Sequence, residues 1–158
     1  MTSLGVTGHR LSRLTTDRNC DRAKQRLKDL AKAVIQKHQP TKVYCGMEWT
    51  GWDKAIALAV LETRNVALVA CIPYEGHQKQ YAKFLSQFPA GALEVVIVSD
   101  GGYAPWKMQR RNEYIVNHCD QLVALWDGTK KGGTYNCLKY AEGRVEAVNV
   151  WDSWVNHK

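Results

Sequence analysis

Short apolar runs recur along this chain with amphipathic stretches between them, and no other feature restricts its fold as much. SLGVTG (3–8), KVYCG (42–46), VALVACI (66–72), EVVIVS (94–99), QLVALW (121–126) and VEAVNV (145–150) all have the length of strands. Between them, residue spacing predicts helices over Asp21 to Lys37, 52–63, about His77 to Gln87, about Pro105 to His118, and Thr134 to about Glu142. Strands apolar on both faces that alternate with helices imply an α/β protein with a mostly parallel central sheet in a three-layer sandwich. The 158 residues fit one domain, 1–158, and 45% hydrophobic content suffices for its core.

That architecture directs attention to the loops. In open parallel sheets a ligand lies beyond the carboxyl ends of the strands, near the point where strand order reverses. The loops at those ends are TGHR (7–10), GMEWTGWD (46–53), PYEGHQ (73–78), SDGGYAP (99–105) and WDGTKKGGT (126–134), all rich in Gly and small or polar residues. The stretch KKGGTYN (130–136) has a double glycine and a Thr where a strand hands over to a helix. Exposed backbone N–H groups and the positive helix end make such a turn a place for phosphate. Gly132 and Gly133 would free the N–H groups, Thr134 would add a hydroxyl and cap the helix, and Lys130 or Lys131 would supply outer charge.

A net charge of +7 favours anionic company: nucleotide, phosphate or nucleic acid. Much of it falls in residues 10–42, at Arg10, Arg13, Arg18, Arg22, Lys24, Arg26, Lys28 and Lys32. The solvated face of a helix accounts for that cluster, since Ala23, Leu27, Leu30, Ala31, Val34 and Ile35 form its apolar face. The five cysteines, Cys20, Cys45, Cys71, Cys119 and Cys137, contain no CxxC pair, so a reduced and partly buried set is expected, with no disulfide framework, metal site or cofactor. No apolar run reaches the length of a bilayer span, and the N-terminus does not read as a signal peptide. A cytoplasmic location without membrane contact is the expectation.

GVTGHR, CGMEWTGWDKAIA, a Pro-ended strand with Gln78 nearby, GGY followed by RRNEYIV, and ALWDG…GGT occur in an order and spacing that resemble the YpsA-like branch of the SLOG (Smf/DprA–Lonely Guy) superfamily. The likeness runs from Gly5 to about Val150. It implies a Rossmann-like domain that binds a nucleotide or nucleotide-derived ligand, and a homo-oligomer.

On this reading Thr7 and Gly8 would let the first loop approach the ligand, and Arg10 would pair with phosphate or carboxylate, or else be a surface cation. Gly46 would start a bend carrying Glu48 toward a ribose hydroxyl. Asp53 reads equally as a helix N-terminal charge and as a hydroxyl-binding group. Arg111 lies in MQRRNEY, where Lonely Guy proteins carry a similar stretch whose Arg serves the active site, so Arg111 rather than Arg110 would face the ligand, with Asn112 bracing a neighbouring loop. Trp49, Trp52, Tyr74 and Tyr103 are candidates for stacking a base, or for the core. Trp151 and Trp154 read as packing or a dimer contact.

Three functions compete: a sensor or binding protein for a small nucleotide, an N-glycosidase acting on nucleoside 5′-monophosphates, and a DNA-binding protein of the Smf/DprA type. Lonely Guy proteins have PGGxGT followed two residues later by a Glu that acts on the ribose. Here the motif is KGGTYN, with Asn136 at the acidic position. An amide supplies no negative charge to an oxocarbenium-like centre, which favours the binder. Glu48, Asp53 and Arg111 are the catalytic candidates should the protein be an enzyme.

Overall fold

A computed structural model describes residues 2–16 and 21–156; Arg18 and Cys20 fall outside them. Strand β1 (Ser3–Gly8) leads through a single turn, α1 (Leu11–Leu14), toward α2 (Asp21–His38). There follow β2 (Lys42–Cys45), α3 (Gly51–Leu61), β3 (Ala67–Ile72), a 3-10 turn (His77–Tyr81), α4 (Ala82–Leu85) and β4 (Leu93–Ile97). The chain continues through α5 (Pro105–His118), β5 (Gln121–Leu125), α6 (Gly133–Ala141), β6 (Glu146–Asn149) and α7 (Trp151–Asn156). The six strands form one sheet in the order β4-β3-β2-β1-β5-β6, every pair parallel. This is the expected Rossmann-like α/β architecture, and its strand order reverses at β1.

Two-residue periodicity divides the core. Leu68, Ala70 and Ile72 of β3 share one face of the sheet with Leu4, Val6, Val43, Val123 and Leu125, under α2 and α3. Val69 and Cys71 point the other way and join Leu122 with Ile115 and Val116 of α5 and Cys137 and Ala141 of α6. Helix α2 buries the apolar stripe anticipated for it, Ala23, Leu27, Leu30, Ala31, Val34 and Ile35. Each Leu or Ile sealed there stabilises the fold by about 1.5–3 kcal/mol relative to exposure. Cys45, Cys71, Cys119 and Cys137 are free and buried.

Two expectations are corrected. EVVIVS reads as a doubly buried strand, but β4 is an edge, with Val95 46% and Ile97 40% exposed, and β6 at the opposite margin is also largely exposed. Composition alone does not tell an edge from an interior parallel strand. The single helix expected over 77–87 is broken at Tyr81, whose backbone leaves the helical region while its ring packs on Trp49 and its hydroxyl meets His77 Nδ1 at 2.8 Å. Trp154 is packing: it is buried, and the Arg26 guanidinium lies 4.4 Å over its ring.

Candidate functional site

A cavity of about 520 Å³ opens beyond the carboxyl ends of β1 and β5, at the reversal of strand order. The loop after β1 supplies Thr7, Gly8 and Arg10, the loop after β2 Glu48, and the first turn of α3 Asp53. Arg111 and Asn112 reach in from α5, and Gly132, Gly133 and Thr134 from the start of α6. Thr7, Gly8, Arg10, Glu48, Asp53, Arg111, Asn112, Gly132, Gly133 and Thr134 therefore all line the cavity, and Gly46 does not.

Gly46 stands behind Arg111. A Cβ there would lie 2.9 Å from Arg111 Nε and 3.0 Å from its Cδ, so the missing side chain makes room for the arginine, not for a ligand. The Gly46 carbonyl accepts from Arg111 Nη1 at 2.7 Å, and Asn112 Oδ1 accepts from Arg111 Nε at 3.2 Å. Asn112 thus braces the arginine, not a loop. Arg111 is only 7% exposed and makes no ion pair among the described residues. A buried guanidinium held by neutral acceptors alone is a fixed positive charge waiting for an anion. Arg110, the rejected alternative, points outward toward Glu113.

Helix α6 meets the cavity with its N-terminus. Its N-cap is Gly132, at φ 96°, and no side chain caps the first turn, so the leading N–H groups lack partners among the described residues. Thr134 sits inside the helix, buried, and is not the cap expected of it. Lys131 lines the cavity.

The acidic side has two members. Glu48 is 3.2 Å from Arg10 Nε, an ion pair that joins the β1 and β2 loops. Asp53 is 6% exposed; its Oδ2 accepts from the Glu48 backbone N–H at 3.1 Å, and its Oδ1 has no donor. It caps that loop, not its own helix. Burial pushes its carboxyl up to about 6, against the pull of the Arg111 charge and the Glu48 N–H.

A raised carboxyl binds its proton more tightly in the native state, so its contribution to stability is favourable near its ordinary value of 3.8 and erodes as pH rises through about 6. On Asp53 alone, unfolding free energy falls by on the order of 2–3 kcal/mol between pH 4 and 7. Asp53→Asn lacks that slope, and is expected to match the parent near pH 4.5 and exceed it by about 1–2 kcal/mol at pH 7.5 in urea melts. A variant less stable than the parent at pH 7.5 would show that the Asp53 charge is well compensated.

Sequence reasoning missed His9, Arg13 and Asp127. His9 Nε2 lies 3.0 Å from both the Asp127 backbone N–H and its carboxylate, while Arg13 reaches Asp127 at 3.2 Å and Thr129 at 2.7 Å. Against some desolvation, hydrogen bonds from Thr129 and then His9 hold the Asp127 carboxyl well below its usual range. This cluster ties α1 to the loop after β5 and sets Arg13 on the cavity rim. Only the histidine after Gly8, at a strand tip, offered a signal in the sequence.

The aromatic candidates are elsewhere. Trp52 is fully buried, Trp49 packs on Tyr81 and Phe84, and Tyr74 meets Tyr103 edge to face outside the cavity. Of the loops after β3 and β4, expected to converge with the others, only Pro105, where α5 begins, lines it, because strand order carries the rest toward the far end of the sheet. Among the described residues no group of His, Cys, Asp and Glu is arranged to hold a metal, and no helix is long and apolar enough to cross a membrane.

No family model matches the chain. Over 51 residues it is 45% identical to an uncharacterized SPbeta prophage-derived protein, YoqJ, of Bacillus subtilis (strain 168), a stretch covering 32% of this chain and 29% of that one. The X-ray structure of DNA processing protein A (DprA) from Streptococcus pneumoniae matches 98% of this chain with a TM-score of 0.58 and 13% identity. The chain spans 53% of that structure, and the likeness establishes a shared fold.

Proposed function

We propose that the cavity binds a nucleotide or nucleotide-derived small ligand, and that the protein acts as a sensor or binding protein of the YpsA-like branch. One observation carries the reading: a buried arginine without an ion pair and an uncapped helix N-terminus line the same cavity at the reversal of strand order. Two independent sources of positive potential on one 520 Å³ space suit a phosphate attached to a small organic group. The resemblance of the sequence to SLOG proteins supports it, and extends it to a homo-oligomer.

Binding only to the native state adds RT ln(1 + [L]/Kd), roughly 2.7 kcal/mol at a hundredfold excess over Kd, or about 5–10 °C in Tm for a domain of this size. A thermal-shift screen of mono-, di-, cyclic and dinucleotides is expected to find such a shift. No movement with any of them sinks the reading.

One observation favours a second reading, the N-glycosidase. Asp53 combines an oxygen without a donor with a carboxyl raised toward neutrality, a combination suited to general acid–base work. Incubation with AMP, dAMP, CMP and GMP is expected to release no base, because Asn136 occupies the position of the Lonely Guy glutamate. Protein-dependent release that disappears in Asp53→Asn would promote the hydrolase. Binding to DNA has less support: Lys28 and Lys32 of the basic helix are already paired with Glu62, and Arg26 lies on Trp154.

A further inference from the structure

We infer, resting on the nucleotide reading above, that the cavity recognises the sugar-phosphate part of its ligand and is indifferent to the base. The ligand class is then ribose 5-phosphate derivatives, whatever group the anomeric carbon carries.

For the base the cavity walls offer little. Protein sites hold bases chiefly by stacking on aromatic side chains, worth roughly 1–3 kcal/mol per base, and by paired hydrogen bonds to base edges. Among the described residues the one aromatic ring lining the cavity is the His9 imidazole, which is already engaged by Asp127 and lies edge-on to Trp151. Of the three amides in the lining, Asn112 is turned by its Oδ1 toward Arg111, Gln109 Nε2 lies 3.5 Å from Glu113, and Asn136 is exposed at the mouth, so none is a buried amide fixed to read a base edge. Met108 and Pro105 present apolar surface, against which every base has an equivalent face.

For the sugar and phosphate they offer a complete set. The phosphate has the Arg111 guanidinium, pre-oriented by Asn112 and the Gly46 carbonyl, and the unpartnered N–H groups opening α6. The hydroxyls have two carboxylates in the lining, Asp53 and Glu48, the latter paired with the exposed Arg10. Asp53 Oδ1 is buried without a donor, and a ligand hydroxyl is the donor that completes it. Fixed charge and fixed acceptors thus converge on the part that every nucleotide shares.

Isothermal titration of the full chain with AMP, GMP, CMP, UMP, ribose 5-phosphate and adenosine tests this. The four nucleotides and ribose 5-phosphate are expected to bind within a tenfold range of Kd, with adenosine at least a hundredfold weaker than AMP. A spread beyond tenfold among the nucleotides, ribose 5-phosphate falling outside the range, or adenosine closer than a hundredfold to AMP overturns the inference, while the binding of any nucleotide leaves the broader reading standing. If none of the phosphorylated probes binds, the inference falls, and the broader reading is decided by the thermal-shift screen of di-, cyclic and dinucleotides.

Discussion

Arg111→Ala is expected to weaken a phosphorylated ligand about a hundredfold, roughly 2.7 kcal/mol, and to leave the affinity for the corresponding nucleoside almost unchanged. The guanidinium is the most deeply placed cation in the cavity, and its two hydrogen-bond partners are neutral acceptors, so it makes no ion pair among the described residues although its field reaches Asp53. A charge-assisted, forked contact to phosphate is worth about twice a neutral one. Arg111→Lys separates charge from geometry: an ammonium keeps the charge but cannot hold Asn112, the Gly46 carbonyl and a phosphate at once, so an intermediate loss is expected. Titration of AMP and adenosine against both variants decides it. Equal losses for the two ligands would place Arg111 away from the phosphate and leave it a purely structural brace for the loop after β2.

The second large effect concerns the fold. Gly51 opens α3 at φ 69°, and a Cβ added to it would lie 2.3 Å from the His9 carbonyl oxygen, 2.7 Å from Leu11 N and 2.8 Å from Arg10 C. All three are backbone atoms of the segment that lines the cavity, and the same carbonyl accepts from Trp52 N at 3.2 Å. No rotamer change relieves such a collision. Gly51→Ala is therefore expected to cost on the order of 4 kcal/mol, from a left-handed backbone position and a forced shift of the first loop, lowering Tm by about 8–16 °C. Gly102→Ala is the control, since nothing lies within 4 Å of a Cβ at that position. It is expected to change stability by less than about 0.5 kcal/mol. A mild Gly51→Ala would mean that the β1 loop moves freely, and that its placement of Arg10 is not fixed by packing.

What the sequence disclosed follows from what periodicity encodes. Alternation within β3, where Leu68, Ala70 and Ile72 face α3 while Val69 and Cys71 face α5, is written residue by residue, and so is the stripe of α2. The inward turn of Arg111 and outward turn of Arg110 follow from about 100° between helical neighbours, once one of them is known to face the sheet ends. Strand order has no such local trace. EVVIVS therefore resembled an interior strand, and the loops after β3 and β4 seemed as close to the site as those after β1 and β5. Trp49 and Trp52 were ambiguous for a related reason, because the sheet and α4 that cover them come from distant parts of the chain. Arg13 was grouped with the solvated basic face of the following helix because its own turn, Leu11–Leu14, is too short to show a period.

The placement of β1 between β2 and β5 also governs the order in which the molecule can be made. β1 pairs with β2 soon after both are synthesised, and β3 and β4 add to that side in sequence. Its other side stays bare until Gln121–Leu125 emerges, on the order of ten seconds later at ribosomal rates of roughly 5–20 residues per second. The cavity forms at that bare side, and its far wall, Gly132 to Thr134, comes later still. A nascent chain thus has the acidic wall, Glu48 and Asp53, well before it has the helix end that faces it. A ligand cannot template the early assembly; it meets only the nearly completed protein. On the binding reading, a ligand held by both walls would slow the opening of the finished fold and not speed its formation.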